Sequence, residues 1–123
     1  MSKLLLIVTA LVEVGTGVAL LIAPSLVVEL LLGEGLSSPQ ALVLGRVTGA
    51  ALISIGVACW LASNGESSGH RALVSGMLVY NFAVPVLLIR AAIAFGMRGI
   101  ALWPASVLHL GLAIWCVLCL RRR

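Results

Sequence analysis

Six polar side chains that could take part in proton transfer or ligand binding interrupt long apolar stretches of this sequence. They are Glu13, Arg46, Tyr80, Asn81, Arg90 and His109. An ionisable group inside an apolar segment costs free energy, so each of these positions is a candidate functional residue. Together they could form a proton-handling or ligand-binding site, or they could satisfy one another and only fix how helices pack.

The elements that carry these residues are predicted to be membrane spans. The chain has 123 residues, of which 62% are hydrophobic and 10% are charged. Its apolar residues form unbroken blocks rather than the periodic pattern of a soluble domain. We predict a single all-α domain over residues 1–123, an integral membrane four-helix bundle. The spans are expected at about residues 4–22, 40–61, 71–95 and 100–120, each long enough to cross a hydrocarbon core.

The first 32 residues predict a retained span followed by a short surface helix. The residues before the first apolar run could also begin a signal peptide, but Glu13 interrupts that run, and no clean small-x-small cleavage site stands before a polar mature segment. After Pro24, residues 25–32 (SLVVELLL) are too few to cross a membrane, and Glu29 breaks their apolar face. This segment is predicted to be an interfacial amphipathic helix.

The distribution of charge predicts the orientation of the spans. Lys3, Arg71 and the arginines at 121–123 fall on one side of a four-span chain, whereas Arg98 and two glutamates fall on the other. The positive-inside rule therefore places both termini and the polar linker at 62–70 in the cytoplasm. The basic residues are scattered at helix ends and form no stripe, which argues against nucleic acid as a partner.

Depth along the spans predicts which polar groups meet. Glu13, Asn81 and His109 fall near the midplane, and Arg46 lies roughly 7 Å below the outer surface. An arginine side chain is long enough to span most of the difference in depth between Arg46 and Glu13. We therefore expect a Glu13–Arg46 ion pair in a cluster completed by Tyr80, Asn81 and His109. Arg90 is expected to reach the outer surface with its long side chain.

Glycines in the second span predict close helix packing. Gly45, Gly49 and Gly56 offer small faces on which another helix, in this chain or in another one, can approach closely. We therefore expect the lipid bilayer, other membrane subunits or a second copy of the chain as partners.

The remaining residues with metal or redox chemistry predict no cofactor. His109 would need a second histidine at its own depth to hold a haem, and His70 lies roughly 15 Å away in depth. The cysteines are interpreted as small apolar residues, because lipid disfavours thiolate formation; they are Cys59, Cys116 and Cys119. No metal site, phosphate-binding loop or nucleophile motif is present, and we single out no catalytic residue.

The region from residue 18 to 61 resembles the DoxX-like group of small bacterial four-helix membrane proteins. The shared pattern is a first span ending in Ala23-Pro24, a short amphipathic segment closed by Gly33, and a second span with Arg46 and Gly49 as R-x-x-G. The resemblance implies a location in the bacterial inner membrane. It also implies a non-catalytic accessory or structural subunit, in some members linked to quinone or redox complexes.

A shorter stretch resembles the small multidrug resistance family, which also has four helices. Glu13 followed by Val14, Gly15 and Thr16 is similar to that family's proton- and drug-binding glutamate segment. The arginine in the second span and the segment after Pro24 depart from the family pattern. The resemblance implies an alternative function, proton-coupled export of small cations by a dimer that uses Glu13.

Overall fold

A computed structural model of the chain describes residues 1–65 and 69–121, and within these ranges the fold is all-helical. The helices are α1 (Ser2–Ile22), α2 (Pro24–Leu32), α3 (Pro39–Asn64), α4 (His70–Phe95) and α5 (Leu102–Arg121). Four of them, all but α2, are long and apolar enough to cross a membrane, which confirms that part of the prediction. Their bounds follow the predicted ones closely; the largest difference is that α3 continues to Asn64. Part of the polar linker and the last two arginines lie outside the described residues.

Local signals in the sequence explain where the helices begin and end. Ala23 leaves the helical conformation and Pro24 opens α2, a position where its missing N–H costs nothing. Gly33 ends α2 with a φ of 90°, and Gly96 ends α4 with a φ of 66°, both in the left-handed region that favours glycine. Ser38 caps α3, because its hydroxyl oxygen accepts a hydrogen bond of 3.1 Å from the Ala41 N–H.

The long helices associate mainly as two pairs, α1 with α3 and α4 with α5. Gly17 and Gly49 face each other so closely that a Cβ on either one would lie 2.6 Å from the other's carbonyl oxygen. Gly56 packs on the same face, where an added Cβ would lie 3.0 Å from the carbonyl oxygen of Ala10. The backbones of α1 and α3 are therefore in direct contact, as small residues allow.

The apolar core joins the two pairs at the end of the bundle that holds the N-terminus. The four long helices all contribute to it. Its buried members are Leu5, Leu6, Ala10, Cys59, Val74, Met77, Leu112 and Cys116. Of the polar residues singled out from the sequence, four lie next to this core, towards the middle of their helices: Glu13, Tyr80, Asn81 and His109. Arg46 and Arg90 lie nearer the helix ends on the far side of the bundle.

Candidate functional site

Glu13 lies inside the bundle with one carboxylate oxygen unsatisfied. The residue is only 1% exposed, and its Oε2 accepts a hydrogen bond of 3.3 Å from the Tyr80 hydroxyl. The buried Oε1 atom and the buried hydroxyl of Thr9 have no hydrogen-bond partner within the described residues. Thr9 precedes Glu13 by one helical turn, so the two side chains share a face of α1.

Asn81 and His109 form a second buried pair, between α4 and α5. The Asn81 amide Nδ2 donates to the carbonyl oxygen of Met77 at 2.8 Å, which fixes the amide orientation. Its Oδ1 atom, 2.7 Å from the His109 Nδ1 atom, must then accept a hydrogen bond from that ring nitrogen. In the neutral imidazole the Nε2 atom is consequently left as the acceptor.

Tyr80 connects the two buried pairs. Its hydroxyl reaches Glu13 on α1, and its ring meets the His109 ring edge to face, with centroids 5.5 Å apart and planes at 82°. A continuous series of contacts therefore runs from Glu13 through Tyr80 to His109 and Asn81. It joins α1, α4 and α5, so the site lies where the two helix pairs meet.

Arg46 lies outside this cluster, and the expected ion pair with Glu13 does not form. Arg46 is exposed on α3, and no salt bridge of Glu13 occurs in the part of the chain that the structure describes. The reason is the register of α1 and α3. Because Gly17 faces Gly49 and Ala10 faces Gly56, Arg46 lies level with the end of α1, at least about 10 Å from the level of Glu13. The structure thus unites four of the five predicted cluster residues.

The remaining predicted positions have distinct surroundings. Gly45 faces the Pro24 Cβ and a Leu36 methyl group rather than a long helix, while Gly49 and Gly56 pack on α1. Arg90 is exposed on α4. The Nε2 atom of His70, at the start of α4, lies 2.6 Å from the Ala62 carbonyl oxygen.

The thiols belong to the core rather than to the polar cluster. Cys59 and Cys116 are fully buried among apolar side chains, and Cys119 is partly buried beside them. Within residues 1–65 and 69–121, no three His, Cys, Asp or Glu side chains come close enough together to hold a metal ion.

Thr9 lies in the site but is not a member of the cluster predicted from the sequence, although it shares a face of the first span with Glu13. The hydroxyl of a threonine inside an apolar helix can donate a hydrogen bond to a backbone carbonyl oxygen of the preceding turn. The Ser75 hydroxyl does this with the carbonyl oxygen of Arg71. The type of residue therefore gave no reason to select it. Its spacing of four residues from Glu13 was the available signal.

The arrangement can bind a proton or a positively charged group. A carboxylate without an opposite charge is costly in a protein interior, and a bound proton or cation removes that cost. No Lys or Arg pairs with Glu13 among the described residues, so the chain itself offers no such partner there. The Oε1 atom and the Thr9 hydroxyl can each make a further hydrogen bond.

Comparison of the chain with family models, curated proteins and solved structures finds no match.

Proposed function

We propose that this chain is a multi-pass protein of the bacterial inner membrane that couples proton movement to the transport of a small cation through Glu13. In this proposal α1, α3, α4 and α5 span the bilayer, and α2 lies on its outer surface. The positive-inside rule supports cytoplasmic termini, because Lys3 and Arg71 belong to the ends of helices on that side.

The observation that carries the proposal is the environment of Glu13. A carboxyl group used only to fix helix packing is expected to have both oxygens satisfied or to be paired with a cation. Glu13 is almost fully buried, has one unsatisfied oxygen, and has an unsatisfied hydroxyl one turn away. Such a group can exchange a proton for a cation, which is the competition that coupled transport needs.

A dimer is the proposed working unit. Gly76 on α4 and Gly111 on α5 are exposed, and a Cβ added at either position would meet nothing within 4 Å. These glycines leave room for close approach of a helix from a second copy.

Proton release from proteoliposomes tests the proposal directly. The protein is reconstituted with a pH-sensitive dye inside the vesicles, and a gradient of tetraphenylphosphonium is applied. We expect wild type to exchange protons for the cation and Glu13→Gln to lose exchange at least about a hundredfold, because the glutamine carries no titratable proton. Glu29→Gln is the matched control, because Glu29 is an exposed carboxylate on α2.

Two results would contradict the proposal. One is a Glu13→Gln protein that exchanges at the wild-type rate. The other is a wild-type protein that shows no proton exchange when a gradient of tetraphenylphosphonium, or of a smaller quaternary ammonium ion, is applied.

A second candidate function is that of an accessory or structural subunit, in a quinone- or redox-linked complex such as the DoxX-like resemblance implies. The specific observation in its favour is that Arg46 and Arg90 are exposed on long apolar helices. Neither forms an ion pair within the described residues, so a carboxylate of another subunit could pair with them. Purification from native membranes in mild detergent, with mass spectrometry and an absorption spectrum, distinguishes this role by stoichiometric partners or a chromophore.

A further inference from the structure

We propose that the end of the bundle opposite the N-terminus holds a binding site for the zwitterionic headgroup of phosphatidylethanolamine, between Glu34 and Arg98. The inference depends on the membrane placement proposed above, but not on any role of Glu13. The site is separate from the central polar cluster.

A cavity of about 470 Å³ lies at this end of the molecule. Its walls come from the end of α2, the loop that follows it, and the turn between α4 and α5. The side chains that matter are those of Val28, Leu32, Glu34, Leu36, Phe95 and Arg98. The volume suits a phospholipid headgroup with the first part of its acyl chains.

The backbone holds this cavity in a fixed shape. The Arg98 N–H donates to the Leu32 carbonyl oxygen at 3.2 Å, and the Ala101 N–H donates to the Leu30 carbonyl oxygen at 2.8 Å. Gly99 packs directly on the backbone of Leu30 and Leu31, with no room for a side chain. The α4–α5 turn is therefore tied to α2, and the two walls of the cavity cannot separate easily.

The charges on the two walls match a zwitterion. Glu34 and Arg98 both line the cavity, and no salt bridge joins them in the structure as described. Arginine binds a phosphate oxygen pair through two parallel hydrogen bonds, and a carboxylate accepts hydrogen bonds from an ammonium group. The Glu29 carboxylate lies beside Gly35, on the Glu34 side of the cavity, which adds negative charge where the ammonium group would bind.

The apolar part of the wall favours a lipid over a soluble zwitterion. Val28, Leu32 and Leu36 line the cavity, and Phe95, the last residue of α4, is 69% exposed at its edge. In the proposed membrane placement this position is at the outer interface, so the exposed apolar ring lies where it can contact acyl chains. Acyl chains can follow these side chains into the bilayer while the headgroup stays between the charges.

Native mass spectrometry of the purified protein in detergent tests the site. Phosphatidylethanolamine, phosphatidylglycerol and N-acetylated phosphatidylethanolamine are titrated in turn. We expect wild type to retain phosphatidylethanolamine about tenfold better than the N-acetylated lipid, which keeps the phosphate but lacks the positive charge. This comparison needs no substitution, so it does not depend on the folding of a variant.

Substitutions assign the two charges. Arg98→Gln is expected to weaken retention of all three lipids about tenfold, and Glu34→Gln to weaken only that of phosphatidylethanolamine. Arg90→Gln is the matched control, because Arg90 is an exposed arginine that does not line this cavity. Glu13→Gln is expected to keep wild-type lipid retention, which separates this proposal from the transport proposal.

Three results would overturn the inference. One is equal retention of phosphatidylethanolamine and its N-acetylated form, and another is an effect of Arg90→Gln as large as that of Arg98→Gln. The third is displacement of the lipid by equimolar soluble phosphoethanolamine. The last result would identify the ligand as a soluble zwitterion rather than a membrane lipid.

Discussion

The two helix pairs use glycine in opposite ways. In the α1–α3 pair, Gly17 and Gly49 lie in the interface and allow backbone contact. In the α4–α5 pair, Gly76 and Gly111 are exposed, and a Cβ added at either one would meet nothing within 4 Å. The α4–α5 pair is held instead by side chains, including the Asn81–His109 hydrogen bond. The difference teaches that an interface closed by glycines has no space for polar side chains. The polar groups consequently collect where the two pairs meet.

The largest expected effect comes from Gly49→Ala. A methyl group there would lie 2.6 Å from the carbonyl oxygen of Gly17, and a backbone atom cannot move away as a flexible side chain can. We expect the free energy of unfolding in mixed micelles to fall by about 2–3 kcal/mol. Gly111→Ala is the matched control on a face that is open within one chain; in protein dilute enough to be monomeric, it is expected to raise the free energy of unfolding by roughly 0.5–1 kcal/mol through helix propensity.

Similar losses at Gly49 and Gly111 would contradict the contrast between the pairs. If Gly111→Ala instead lowers the free energy of unfolding by an amount that depends on protein concentration, the contrast between the pairs becomes clearer. That result would show that this open face packs against a second copy of the chain.

The next effect concerns the side-chain contact that holds α4 to α5. Asn81→Leu leaves the His109 Nδ1–H buried without an acceptor, so we expect a loss of about 1–3 kcal/mol in the free energy of unfolding. Adding His109→Phe should recover part of this loss, because removing both partners costs less than leaving one of them unsatisfied. Strictly additive effects of the two substitutions would show that the hydrogen bond contributes nothing.

The sequence predicts the elements of this fold better than it predicts their contacts. Unbroken apolar blocks, Pro24, Gly33 and the glycine after α4 mark the helix ends, because each acts locally on the backbone. Depth counting brings Glu13, Asn81 and His109 to similar levels. Depth counting also places Arg46 towards one end of the bundle, as the structure does. What fails is the expectation that its side chain reaches Glu13, because the contact of Gly17 with Gly49 sets the register of α1 on α3, and no local signal states which glycines will face each other.

A smaller effect is expected at the residue that links the two pairs. Tyr80→Phe removes the hydroxyl that donates to Glu13 at 3.3 Å and keeps the ring against His109. We expect the free energy of unfolding to fall by about 0.5–1.5 kcal/mol, as for one net hydrogen bond. In a Glu13→Gln background, Tyr80→Phe should lower the free energy of unfolding by a different amount than it does in wild type, because the two side chains are in contact. Independent effects of the two substitutions would place Tyr80 outside the site.

The smallest expected effect is that of Arg46→Gln, and it decides between the observed register and the ion pair expected from the sequence. Arg46 is exposed on α3 and lies away from the level of Glu13, so its replacement should change the free energy of unfolding by no more than about 0.5 kcal/mol. Breaking a buried ion pair by removing one partner would instead cost about 3–5 kcal/mol. Unfolding of Arg46→Gln in the same mixed micelles as Gly49→Ala makes the two values directly comparable. A loss in the higher range would mean that α3 slides along α1 in the working protein, and that the Gly17–Gly49 contact is only one of its registers.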